Sequence, residues 1–135
     1  MDGSAGKIKV AVIGVGHLGQ HHARIYTELP GAELVAVADL SEARRRDVGG
    51  RLKVPAVADY RSLIGKVDAV SVAVPTGSHY PIALTFLQAG SDVLVEKPIT
   101  QTVGEADVLI AAASYFPKRN VMPPVISPLA YQLVE

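Results

Sequence analysis

Six residues, Gly14-Val15-Gly16-His17-Leu18-Gly19, restrict the fold of this chain more than any other stretch. The G-x-G-x-x-G spacing is weak evidence alone and gains force from its flanks. Residues 8–13, Ile-Lys-Val-Ala-Val-Ile, are a mostly β-branched run that ends at Gly14. Residues 17–29 hold no Pro and no Gly beyond Gly19, and Pro30-Gly31 stops them. The order is that of a buried strand, a tight turn and a helix. Gly14 suits the turn, Gly16 lets the backbone approach a diphosphate, and Gly19 lets the helix lie close to the strand. The first N–H groups of such a helix have no intrahelical partner, and with the helix dipole they attract an anion. A glycine-rich turn with no ligand has the same local pattern, so the next strand decides.

Residues 34–38, Leu-Val-Ala-Val-Ala, form a second apolar run closed by Asp39. Asp39 stands about 20 residues beyond the last glycine, where a dinucleotide fingerprint places an acid for the ribose hydroxyls. The alternative is a turn residue at a strand end. A carboxylate here repels a 2′-phosphate, so NAD is the expected cofactor. Arg44, Arg45 and Arg46 follow. Either one of them pairs a 2′-phosphate, leaving NADP open, or they form a solvated helix face, which is the reading taken here.

The rest of the described order continues the alternation. Ser41 caps a helix over residues 43–52, weakened by Gly49-Gly50. A short strand at 57–58, a short helix at 60–65, a strand at 69–74 and a helix at 79–88 follow, with Gly90 at the helix end. Residues 93–95 give a fifth strand and 103–114 a last helix. The strands are apolar on both faces. Together these features predict an α/β fold, a doubly wound parallel sheet covered on both sides. A sixth strand at 121–127 is compromised by Pro123-Pro124, which fits an edge strand or no strand. The expected organisation is a flexible stretch at 1–6, a dinucleotide-binding domain at 7–115 and an irregular segment at 116–135.

Ligands of an open parallel sheet lie beyond the carboxyl ends of its strands. Val74-Pro75-Thr76-Gly77-Ser78-His79 leaves the fourth strand at that edge. Pro75, Thr76 and Ser78 are placed to meet a cofactor. His79 either caps the helix or donates to cofactor or substrate. Glu96-Lys97-Pro98 leaves the fifth strand at the same edge. Lys97 is the catalytic candidate: it can hydrogen-bond a substrate hydroxyl, hold the nicotinamide ribose or assist proton transfer. The competing reading is a surface lysine at a strand end. Glu96 joins the candidate cofactor contacts, as do His17 and Leu18 of the glycine loop. His17, His21 and His22 make no metal site, because no carboxylate completes a set. His21 and His22 read as helix surface or packing residues.

These motifs together resemble the Gfo/Idh/MocA family of NAD(P)-dependent oxidoreductases. The resemblance runs from about Lys7 to Ser114, through Gly14 to Arg24, Val37-Ala38-Asp39, Val74 to His79 and Glu96-Lys97-Pro98. It implies an N-terminal Rossmann domain followed by a larger α/β domain, acting on sugars, inositols or related polyols. By resemblance, Gly14, Gly16 and Gly19 match the family's cofactor loop, Asp39 its ribose acceptor, Lys97 its active-site lysine and His79 a pocket histidine. The family's second domain supplies substrate contacts, an acid/base pair and the oligomer sheet, and it is expected to be absent here. Pro123-Pro124 and Pro128 occupy the place of the family's glycine-histidine turn and Arg-Phe-Asn-Pro-like stretch.

Charge excludes some classes. The 135 residues carry 13 basic and 13 acidic side chains, against a nucleic-acid binder driven by bulk charge. No apolar run approaches the roughly 20 residues of a membrane span. The N-terminus lacks the regions of a signal peptide. The chain has no cysteine, which fits a cytoplasmic location. Two functions remain: the cofactor domain of an oxidoreductase with a sugar, polyol or sugar-nucleotide substrate and a possible homo-oligomer, or a non-catalytic nucleotide-binding module. A flavin or S-adenosylmethionine domain shares the glycine loop, but Glu96-Lys97-Pro98 argues against it.

Overall fold

A computed structural model describes residues 6–115. The expectations for 1–5 and 116–135 lie outside the described residues. Five strands, β1 (Ile8–Ile13), β2 (Ala32–Ala38), β3 (Ala56–Val57), β4 (Ala69–Val72) and β5 (Asp92–Val95), form one sheet in the order β3-β2-β1-β4-β5. Every pairing is parallel. Four helices connect them: α1 (His17–Glu28), α2 (Glu42–Leu52), α3 (His79–Gln88) and α4 (Val103–Tyr115). Short 3-10 turns at Tyr60–Leu63 and Thr76–Ser78 complete the described order. The predicted α/β doubly wound sheet is the observed architecture. Among the described residues no helix is long and apolar enough to cross a membrane.

The sheet has two apolar faces because successive side chains of a strand point to opposite sides. Val12 and Val37 pack with Ala23 of α1 and Val48 of α2 on one face. Ala11, Ile13 and Ala38 face the other way, toward Phe86 of α3 and Leu109 of α4. The β1–β2 register shifts between Val10 and Ala11, where Leu34 and Ala36 are successive partners. Val35 is therefore an extra residue, and Val35 and Ala36 both pack on the α3/α4 face. That bulge removes the alternation a reader of the sequence would look for.

Element ends follow local chemistry. The Ser41 hydroxyl accepts the Arg44 N–H at 3.3 Å and starts α2. The helix runs through Gly49 and Gly50 rather than fraying there. A Cβ at Gly49 would lie 3.0 Å from the Ala56 Cβ, so the missing side chain lets β3 approach the helix. Lys53, with φ 56°, then ends α2 in the left-handed region. Strand β4 stops at Val72, short of the expected 74, and β3 begins one residue early at Ala56. The strand order reverses between β1 and β4, because β1 leads outward to β2 whereas β4 lies on its other flank. Such a switch point opens a crevice at the carboxyl edge of the sheet.

Candidate cofactor site

A cleft of about 590 Å³ occupies that crevice. This is the size range of small-molecule and cofactor pockets. Gly14 and Gly16 form its wall at β1, Asp39 and Arg44 its wall at β2 and α2, and Pro75 and Ser78 its wall at β4.

The glycine loop is shaped by contacts that only glycine allows. Gly14 has φ +90°, and a Cβ there would lie 2.8 Å from the Ala73 carbonyl oxygen. A Cβ at Gly19 would lie 1.7 Å from the Gly14 carbonyl oxygen, so α1 rests directly on the loop. Gly16 differs, since a Cβ there would first meet the Arg44 guanidinium, at 3.5 Å. Protein atoms therefore leave space at Gly16 that a ligand can approach. Gly16 is also the N-cap of α1, with no side-chain cap hydrogen bond. The opening N–H groups of the helix remain available to an anion.

Asp39 completes the loop from the side. Its Oδ2 accepts the Val15 N–H at 2.9 Å and its Oδ1 accepts the Ser41 N–H at 2.8 Å. The side chain is only 8% exposed and stands 3.8 Å from the Arg44 guanidinium. The three arginines part company. Arg44 lines the cleft. Arg45 donates to the carbonyl oxygens of Asp39 and Leu40 at 2.8 and 3.1 Å. Arg46 pairs with Glu42 at 2.9 Å in solvent. A solvated face describes Arg46 and, at 60% exposed, Arg44 even as it borders the cleft, whereas Arg45 turns back onto the main chain.

The remaining predicted residues divide into those that line the cleft and those that do not, Lys97 among the latter. Gly14, Gly16, Asp39 and Pro75 line it. His17 and Leu18 stand exposed in the first turn of α1, and Thr76 is half-buried at the start of a 3-10 turn. Lys97 is exposed on the turn after β5, in a cis Lys97-Pro98 pair. Glu96 is not free beside it, because its carboxylate is in contact with the His22 Nε2 of α1. His79 departs from its expected place on the pocket wall. It is 1% exposed. Its Nδ1 lies 2.9 Å from the Pro98 carbonyl oxygen and 3.2 Å from that of Ile99, while its Nε2 lies 2.7 Å from that of Val74. No ring nitrogen is left for a ligand, because the fold uses both to join the ends of β4 and β5. Reading the sequence alone misses Leu40, Ser41 and Tyr60 as cleft-lining residues. Tyr60 carried no local signal, since the fold alone brings its turn beside the Asp39 loop.

Known proteins share this fold. Residues 8–122 match the model of the Gfo/Idh/MocA oxidoreductase family, NAD-binding Rossmann fold. This chain belongs to that family. It is 40% identical over 106 residues to the UDP-N-acetylglucosamine 3-dehydrogenase of Acidithiobacillus ferrooxidans, covering 78% of this chain and 33% of that protein. It is 36% identical over 115 residues to an inositol 2-dehydrogenase of Rubrobacter xylanophilus, covering 83% and 33%. The crystal structure of GenD2 from gentamicin A biosynthesis, in complex with NAD, superposes with a TM-score of 0.77 at 35% identity, over 80% of this chain and 32% of that one. The chain thus spans about a third of the length of the relatives it matches. What it contains is the NAD-binding Rossmann domain of an oxidoreductase family.

Proposed function

We propose that this chain is the cofactor half of a dehydrogenase acting on a CH–OH group of a sugar, polyol or sugar nucleotide. The carrying observation is the Asp39 carboxylate, fixed by the Val15 and Ser41 N–H groups at 2.9 and 2.8 Å on the rim of the glycine loop. That arrangement, a carboxylate one strand away from an uncapped helix start, supports the reading of Asp39 as the ribose-hydroxyl acceptor. The N–H groups at the start of α1 bind the diphosphate, Gly16 admits it, and Asp39 accepts the adenine-ribose hydroxyls. The Asp39 charge disfavours a 2′-phosphate, so NAD binds more tightly than NADP. Arg44, beside both Gly16 and Asp39, covers the ribose and softens that preference. Pro75 and Thr76 border the far side of the cofactor.

Bound NAD supplies hydride transfer at the nicotinamide. Lys97 directs its ammonium, as a hydrogen-bond donor, to the substrate hydroxyl oxygen or the nicotinamide ribose. The relatives named for UDP-N-acetylglucosamine and inositol support a substrate rich in hydroxyl groups. The absence of cysteine suits a reducing cytoplasm. Self-association as a homo-oligomer is part of the same reading.

Calorimetric titration of the chain with NAD and NADP tests the proposal. NAD is expected to bind one to one and to be preferred over NADP. A folded sample that releases no binding heat with either at millimolar concentration refutes it.

A further inference from the structure

Two histidines from different helices converge on the turn that carries Lys97. His22, on α1, is joined through Nε2 to the carboxylate of Glu96, the residue before Lys97. His79, at the start of α3, reaches the carbonyl oxygens of Pro98 and Ile99, the residues after it, and holds Val74 with its other nitrogen. The main chain adds one more tie, from the Glu96 N–H to the Val72 carbonyl at 3.2 Å. Lys97 itself is left loose: among the described residues its ammonium makes no hydrogen bond or ion pair, and the residue is exposed. The base of the side chain is thus fixed from both sides while its tip stays available to a ligand.

The two anchors are not equivalent. His79 fixes the turn to the sheet edge from inside the core. His22 fixes it to α1, the helix whose first turn forms the diphosphate cradle. The His22–Glu96 contact bridges 74 residues and is part-buried, with side chains 19% and 26% exposed. It lies outside the residues lining the cleft. A reacting group must be held within about 0.5 Å of its productive place, and this needs supporting contacts beneath it. We propose that His22 is a positioning residue: through Glu96 it sets the distance between the anion-binding start of α1 and the Lys97 ammonium, without touching the cofactor. This rests on the reading of Lys97 as a site residue.

The test uses the whole chain with its lysines reductively ¹³C-methylated, the Lys97 resonance being assigned with Lys97→Arg. Calorimetry on the same samples gives NAD affinity. In the parent chain, NAD should bind and shift the Lys97 resonance. In His22→Ala, NAD affinity should stay within about threefold, the scale of a lost part-exposed ion pair, while the Lys97 shift is lost. His22→Gln should restore the shift, since its amide N–H can reach Glu96. His22→Leu removes the same contact while filling the space of the ring, and carries the test if His22→Ala melts early.

The failures are separable. No NAD binding by the parent chain defeats the cofactor reading and this proposal with it. Binding without a Lys97 shift in the parent removes Lys97 from the site. A parent shift that persists undiminished in His22→Ala, or that His22→Gln fails to restore, overturns the role of His22 alone. So does a loss of affinity well beyond tenfold with the shift intact, because that marks direct cofactor contact.

Discussion

The Asp39 carboxylate accepts N–H groups from Val15 and Ser41 and keeps a further lone pair on each oxygen. It can therefore brace the loop and still accept ribose hydroxyls. Asp39→Ala should do two things at once. It should cost about 1–3 kcal/mol of stability, because two loop N–H groups lose their acceptor. It should also weaken NAD about tenfold or more, the effect of losing a charge-assisted hydrogen bond. Thermal melting and calorimetry on one sample separate these effects, and a variant with unchanged NAD affinity removes the ribose role. The glycines make a sharper contrast. Gly19→Ala drives a Cβ into the Gly14 carbonyl, which lies 1.7 Å from its ideal place. It should destabilise the fold by about 1–3 kcal/mol or more. The Cβ of Gly16→Val first meets the flexible end of Arg44, at ordinary contact distance. This variant should fold normally, by circular dichroism, and fail to bind NAD. Normal melting of Gly19→Ala, or retained binding by Gly16→Val, contradicts this division of roles.

At the scale of elements, α3 and α4 carry the larger part of the core. Phe86 is fully buried and packs against Tyr60, with ring centroids 6.0 Å apart. Phe86→Ala should cost about 3–5 kcal/mol, read from denaturant unfolding. A cost below about 1 kcal/mol would mean that the α3 face collapses around the gap. Tyr60 borders the cleft as well as this core. The same variant is therefore expected to weaken NAD modestly, through the loop between β3 and β4. Helix α1 faces both ways too. Its Tyr26 hydroxyl meets the Ser71 hydroxyl of β4 at 2.6 Å, and its His22 meets the turn after β5. One helix thereby connects the glycine loop with both strands beyond the switch point.

For the whole molecule, the cleft exists because β1 and β4 are neighbours whose following connections diverge to opposite faces of the sheet. Its walls come from four separate stretches of chain, so a ligand that bridges them should oppose unfolding of all of them. At NAD concentrations about 100 times the dissociation constant, stability should rise by roughly 2.7 kcal/mol, with an upward shift in melting temperature. NADP at equal concentration should give the smaller shift. A melting temperature indifferent to NAD, in a chain that binds it by calorimetry, would place the bound nucleotide on the unfolded chain as strongly as on the folded one.

Sequence by itself determined the element order, the parallel two-faced sheet, the glycine turn and the acid at the end of β2. Each of these is written within a short stretch: β-branched runs, a breaker at a helix end, a serine before a helix, glycines at fixed spacing. The tertiary structure alone decided the rest. It turned His79 inward onto three carbonyl groups, split Arg44, Arg45 and Arg46 among three environments, added Val35 as a bulge and joined His22 to Glu96. No local pattern announces those outcomes, because a polar side chain takes whichever partner the folded backbone brings within reach, and here the partners lie on other strands and helices.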